Sequence, residues 1–253
     1  MLQADGQILA GGQWPGWGGP PWTNRQHLAR FAPDGTLDPD FNPGADHQVM
    51  TFAVQEDGRI LVGGEFTMLG GKARSRLGRL HPDGTVDDSF APGVGGAVPY
   101  NFPQVNCVAI QPDGRILVGG YFTMLAGQRR NYLGRLFPDG SLDLTFDPDI
   151  SGDGPEHYRA VESLVVRTDG KILVGGVFTA IGGQACTNVA RLNADGTVDA
   201  DFNPGAHALV STGALVQALA IQTDGKILMA GRAVPAFGQP PPLARLAADK
   251  IGR

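Results

Sequence analysis

The sequence predicts an all-β chain of the β-propeller class, with about five four-stranded blades, and three observations predict it. The motif Asp-Gly-X-Ile-Leu occurs five times, beginning at Asp5, Asp57, Asp113, Asp169 and Asp224, at intervals of 52, 56, 56 and 55 residues. A second Asp-Gly turn follows each of the first four, at Asp34, Asp83, Asp139 and Asp195, and decays to Ala248-Asp249-Lys250 in the fifth. Short apolar and β-branched runs fill the intervals, and no long stretch has helical periodicity.

One unit justifies its elements in turn. Strand a is the run Val105–Gln111, strand b is Arg115–Gly120, strand c is centred on Leu133–Leu136, and strand d is Ser141–Phe146. Asp-Gly separates a from b and c from d. It accommodates the positive φ of a tight hairpin, so each pair is expected to be antiparallel. Four strands in roughly 55 residues fit a propeller blade better than a sandwich. The units run roughly over 1–48, 49–104, 105–160, 161–215 and 216–253, within one domain.

Recurring columns have structural readings. Gly11-Gly12, Gly63-Gly64, Gly119-Gly120 and Gly175-Gly176 end strand b, where the backbone turns or meets a neighbour closely. Phe66, Phe122 and Phe178, then Leu69, Leu125 and Ile181, are expected core, and Phe41, Phe90, Phe146 and Phe202 recur at the end of strand d. Arg30, Arg79, Arg135, Arg191 and Arg245 share one column, and Asp38, Asp87, Asp143 and Asp199 another. These two columns are expected to staple blades.

The stretches Gln-Pro-Asp-Gly-Arg-Ile-Leu-Val-Gly-Gly-Tyr-Phe-Thr (111–123) and Leu-Gly-Arg-Leu-Phe-Pro-Asp-Gly-Ser-Leu-Asp-Leu-Thr-Phe (133–146) carry a specific resemblance. The chain resembles the delta-60 repeat, a bacterial β-propeller repeat family, over nearly its whole length. Units two to four fit well; unit one lacks most of strand a, and unit five lacks strand d. The resemblance implies a secreted or surface protein of unassigned function and brings no catalytic residues. The incomplete first unit suggests a module taken from a longer chain, with a cytosolic protein as the alternative. The two incomplete units are expected to lie side by side and close the ring, giving a monomer. In the alternative, an open fragment, the chain ends associate.

In this topology the a–b and c–d turns emerge on one face, and the b–c and d–a loops on the other. The first set is short and uniform and the second varies, so any binding is expected on the second. The b–c loop of unit one holds all three tryptophans. Trp14 and Trp17 align with core columns, which leaves Trp22 for a ligand or for packing over the ring closure. Unit five adds Phe237, and the d–a loops add Tyr100, Phe102, His157 and Tyr158. Aromatic faces beside polar groups suit carbohydrate or peptide. Arg25, Lys72, Arg74, Arg76, Arg129 and Arg130 cluster in b–c loops. Of these, Arg74, Arg129 and Arg130 are the cationic candidates for an anionic partner such as an acidic glycan, set against solvated loops. The expected partner is thus a glycan or a protein. The predicted role is a noncatalytic binding or scaffolding module, with a carbohydrate-active hydrolase or lyase and a structural spacer as alternatives.

Other classes find little support. The net charge of −5 argues against a general nucleic-acid binder, and no apolar run is long enough for a membrane span. Cys107 and Cys186 fall at different repeat positions, so no disulfide is expected. No cofactor is expected: the histidines lack zinc spacing, and the glycine-rich stretches open no helix. Asp149, Asp153 and Glu156 offer weak Ca²⁺ ligands in a pattern that suits turn capping better. The pair Asp153/Glu156, with His157 nearby, is the candidate set for the hydrolase alternative.

Overall fold

The computed structural model describes residues 1–15, 25–96, 102–151, 159–202, 214–232 and 243–246, with backbone alone at 14–15 and 243–246. The described residues contain strands, turns and bends and no helix, so none is long and apolar enough to cross a membrane.

One antiparallel plan repeats. Unit one pairs β1 (Ile8–Pro15) with β2 (Gln26–Phe31). Unit two orders β3 (Val49–Val54), β4 (Ile60–Gly64) and β7 (Leu77–Leu80) in one sheet, with a small hairpin, β5 (Met68–Leu69) and β6 (Lys72–Ala73), between β4 and β7. The connector to unit three holds β8 (Val94–Gly95). Unit three repeats the plan with β9 (Gln104–Ile110), β10 (Ile116–Tyr121), the hairpin β11 (Met124–Leu125) and β12 (Gln128–Arg129), and β13 (Leu133–Leu136). After β14 (Ile150–Ser151), unit four comprises β15 (Ala160–Val166), β16 (Ile172–Val177), the hairpin β17 (Ala180–Ile181) and β18 (Gln184–Ala185), and β19 (Val189–Leu192). Unit five orders β20 (Leu215–Ile221), β21 (Ile227–Arg232) and β22 (Leu243–Leu246).

Strands a, b and c are therefore regular, and strand d is not. Ser141–Phe146, expected as a strand, contributes the single bridge Leu136↔Leu142 and then turns away. The cause is local. The Asp143 carboxylate accepts the Thr145 amide at 3.0 Å and its hydroxyl at 2.6 Å, and the Phe146 amide bonds back to Asp143 O at 3.3 Å. Such a side-chain turn competes with a strand ladder.

The a–b turn is a three-residue loop. Gly58 N donates to Gln55 O at 2.9 Å and Gln55 N to Arg59 O at 2.8 Å, and the positive φ of 81° falls on Gly58 alone. The aspartate contributes differently: Asp57 Oδ1 accepts the Arg59 amide at 3.0 Å.

The first glycine of each pair serves packing between units, and the second lets strand b approach the backbone of its own strand a, where a Cβ on Gly120 would stand 2.2 Å from Gln104 O. Strand a of units three, four and five lies against strands a and b of the unit before it, and β3 of unit two lies against β1. A Cβ on Gly63 would stand 2.6 Å from Val105 Cγ1 of the next unit, and one on Gly119 would stand 2.7 Å from Val161 Cγ1. Four apolar clusters result, and the expected core residues Phe66, Phe122, Phe178, Leu69, Leu125 and Ile181 are buried. Each strand a also carries a bulge, at Met50, Asn106, Glu162 and Gln217.

The arginine and aspartate columns form one joint repeated along the chain. Arg79 Nε donates to Asp87 Oδ2 at 2.8 Å within unit two, and Arg79 Nη1 donates to Pro138 O of unit three at 2.5 Å. Arg30 reaches Pro82 O and Arg135 reaches Ala194 O in the same way, each at 2.5 Å. The guanidinium carbons of Arg30, Arg79, Arg135 and Arg191 lie 4.3, 4.4, 4.3 and 4.9 Å from the ring centroids of Phe41, Phe90, Phe146 and Phe202. Phe41, Phe90 and Phe146 are fully buried beneath the next unit's turn, where a Cβ on Gly84, Gly140 or Gly196 would come within 2.9, 2.9 or 2.7 Å of the ring. Burial resists ionisation of Asp87, but hydrogen bonds from Ser89 and then Arg79 outweigh it and bring its pKa to about 2. Asp38, Asp143 and Asp199 are lowered by the same balance. Arg245 lies in β22 opposite Leu228. Both cysteines are free, and Cys107 is buried.

Candidate functional site

The face opposite the Asp-Gly turns is built from the b–c hairpins and the d–a connectors. Each hairpin has two turn residues, both at positive φ: Gly70-Gly71 at 57° and 74°, Ala126-Gly127 at 49° and 77°, and Gly182-Gly183 at 56° and 73°. Two successive left-handed residues turn a two-residue hairpin with the twist of its strands. Connectors then pair with the hairpin of the following unit. Ala45 bridges Leu69, β8 pairs β11, and β14 pairs β17. The two variable sets of loops thus form one hydrogen-bonded surface.

Between the hairpin of unit three and the connector to unit four lies a cavity of about 460 Å³, lined by Thr123, Met124, Arg129, Asn131, Tyr132, Asp149, Ile150, Ser151 and Arg159. Asn131 Nδ2 donates to Asp149 Oδ1 at 3.1 Å, which ties its two sides together. Tyr132 stacks on Tyr121 with centroids 6.3 Å apart. Arg129 is exposed in β12. The lining combines hydroxyl, amide, carboxylate and guanidinium groups, a set that can hydrogen-bond a polar ligand and attract an anionic one.

The structure distributes the predicted site residues unevenly. Arg129 lines the cavity, and Phe102, two residues before β9, is 80% exposed. Arg74 and Arg130, expected to face a ligand, instead turn inward and are buried. Arg74 Nη2 donates to Asp87 O at 3.2 Å and to Asp88 Oδ1 at 3.0 Å. Arg130 donates to Arg129 O at 2.7 Å and to Leu144 O at 3.4 Å, with Asp147 Oδ2 at 3.4 Å. Arg25 likewise holds Asp38 O and Pro39 O, both at 2.9 Å. This column caps the carbonyls freed where strand d breaks off. Lys72 pairs with Asp88, and Arg76 Nε donates to Pro103 O at 3.0 Å. Trp17, Trp22, Tyr100, His157, Tyr158 and Phe237 lie outside the described residues, as do Asp153 and Glu156 of the expected calcium ligands, and of Trp14 only the backbone is described. Asp149, the third of those ligands, bonds Asn131, and among the described residues no three metal-capable side chains cluster.

Reading by residue type missed Thr123, Asn131, Ser151 and Arg159. Arg129 and Asn131 flank the arginine that turns inward, so side-chain direction alternates there. The pairing of β14 on β17 holds Ser151, and Arg159 reaches the same cavity from the residue before β15.

Residues 21–41, 55–90, 111–146 and 167–202, about half of the chain, match the family described as a domain of unknown function (DUF5122) beta-propeller. The chain belongs to this family. Each complete DUF5122 match begins at the a–b turn and ends at the buried or half-buried phenylalanine of the joint, so the family pattern contains the stapling residues. Among solved structures, the extracellular domain of a one-component system from B. thetaiotaomicron is similar at a TM-score of 0.51 and 15% identity, over 90% of this chain and 25% of that one. The chain therefore spans a quarter of that domain's length. The computationally designed Ika8 protein is similar at a TM-score of 0.50 and 10% identity, over 91% of this chain and 54% of that one. Virginiamycin B lyase from Staphylococcus aureus reaches a TM-score of 0.48 at 12% identity, over 92% of this chain and 65% of that one. No curated protein matches the sequence. At these identities the similarities bear on the fold alone.

Proposed function

We propose that the five repeated sheets are blades about a common axis, and that the chain is a noncatalytic binding module which engages an acidic glycan on its hairpin-and-connector face. The observation that carries this reading is the polar cavity between β11, β12 and β14, with Arg129 exposed at its lining. The opposite face consists of uniform turns whose carboxylates are engaged by backbone amides two residues on, as in Asp113 with Arg115 and Asp139 with Ser141. A rigid scaffold presenting variable, hydrogen-bonding loops on one side suits recognition. A secreted or surface setting belongs to the same proposal, supported by the fold shared with the extracellular domain of a one-component system.

A glycan array probed with the wild-type protein and with Arg129→Ala, Trp22→Ala and Tyr158→Ala tests it. Binding to acidic glycans that weakens in Arg129→Ala is expected. No binding, or binding equal in all four proteins, removes the proposed surface. Turnover of a polysaccharide would replace the reading with a hydrolase or lyase.

A further inference from the structure

The joint between units is made three times with both halves in view, and its two halves differ. The trailing half is an arginine stacked on a phenylalanine. The leading half is a c–d turn carbonyl, the glycine of that turn, and the apolar pair where strands a and b meet. Phe41 shares a cluster with Val54 and Ile60, Phe90 with Ile110 and Ile116, and Phe146 with Val166 and Ile172.

Unit one has a complete leading half, and among the described residues none covers it. Leu2 bridges Ile8 as Val54 pairs with Ile60, so Leu2 and Ile8 are its apolar pair. Ile8 is 38% exposed and Leu2 70%, whereas Ile60, Ile116 and Ile172 are 0% and Ile227 1% exposed. Gly35 has a similar positive φ of 85°, and no described atom lies within 4 Å of a Cβ placed there, where Gly84, Gly140 and Gly196, at 90°, 93° and 97°, each meet a phenylalanine ring.

We propose that the leading edge of unit one, formed by Leu2, Ile8, the Pro33 carbonyl and Gly35, is a docking site for the arginine-over-phenylalanine edge of a further DUF5122 repeat. The occupant is defined by what covers this edge elsewhere in the same molecule: a ring over the isoleucine and the turn glycine, and a guanidinium on the turn carbonyl.

The test adds such an edge in register. Gln3 N donates to Gln7 O as Gln55 N donates to Arg59 O, so Met1–Gln3 continue a strand that ends at Phe52. A second copy of residues 1–52 fused ahead of Met1 of the whole chain therefore completes strand a and brings in its own Arg30 and Phe41. Hydroxyl-radical footprinting then reads Leu2 and Ile8 of the original unit. Labelling is expected to fall severalfold in the fusion and to return when Phe41→Ala is placed in the added copy alone. Unchanged labelling in a folded fusion overturns the proposal. So does protection of Leu2 and Ile8 in the unfused chain, which assigns the edge to the chain's own ends. Thermal melts of the unfused chain give an independent reading should the fusion fail to fold. Ile8→Thr is expected to lower Tm much less than Ile60→Thr, and equal losses contradict an open edge.

Discussion

The Arg79 guanidinium lies 4.4 Å from the centre of the Phe90 ring, and both groups end beneath the turn of the following unit, the first on Pro138 O and the second against Gly140. One pair thus binds two sheets by charge-assisted hydrogen bonding and by apolar burial. Phe90→Ala is expected to cost about 3–5 kcal/mol, as for buried aromatic truncations. Arg79→Ala leaves Asp87 buried without its main cation, at a cost of about 3–5 kcal/mol. In denaturant melts the double variant should fall short of the sum by roughly 1 kcal/mol, the range of a desolvated cation–π contact. Full additivity would show that the two residues act separately.

The turn glycines give a comparison free of charge effects. Gly84 and Gly35 have φ of 90° and 85°, so alanine strains both backbones alike, by about 1–2 kcal/mol. Only at Gly84 does the new methyl meet a ring, Phe41 at 2.9 Å. Gly84→Ala should therefore destabilise by clearly more than Gly35→Ala in chemical denaturation. Equal effects would mean that the Phe41 contact is soft.

Acid should weaken the joints. Asp38, Asp87, Asp143 and Asp199 all have folded pKa values below their ordinary value, Asp87 at about 2. A depressed folded pKa gives stability that is full above the unfolded value and is lost as pH falls toward the folded one. Tm should hold from neutral pH to about 5 and fall between about 4 and 2. Asp87→Asn should flatten part of that fall while lowering Tm at neutral pH.

Glu162 titrates the other way. Burial raises its pKa, against a hydrogen bond from Asn106. A raised carboxylate pKa disfavours the charged form in the fold, so its contribution to stability declines as pH rises through that value. Glu162→Gln keeps an acceptor for Asn106 and removes the charge. A higher Tm than wild type at pH 7, with the gain shrinking in acid, is expected from scanning calorimetry.

Adjacent arginines should separate stability from recognition. Arg130→Ala removes a buried cap on Leu144 O and should lower stability by about 1–3 kcal/mol. Arg129→Ala changes an exposed side chain and should leave stability within about 0.5 kcal/mol. Circular-dichroism melts of the two proteins check both.

Much of this was legible in the sequence because the repeat is stated five times. Spacing located strands a, b and c and the buried columns at Phe66, Leu69 and Arg79. Strand d failed, since Asp143 was read as a stapling residue while its second role, holding the Thr145 amide, breaks the ladder. Arg74 and Arg130 failed for a related reason. A loop arginine reads as solvent-facing, but the carbonyls exposed by that broken strand need a donor, and a guanidinium on the adjacent hairpin supplies it. The cavity was illegible because two-residue strands such as β8 and β14 carry no periodicity.

Recognition on the hairpin-and-connector face requires that ligand leave the opposite face untouched. Hydrogen exchange measured with and without an acidic oligosaccharide chosen from the array is the direct test. Slower exchange is predicted in 121–132 and 149–151, with no change at the turns 111–115 and 137–141. Protection at those turns, or none anywhere at saturating ligand, would contradict it.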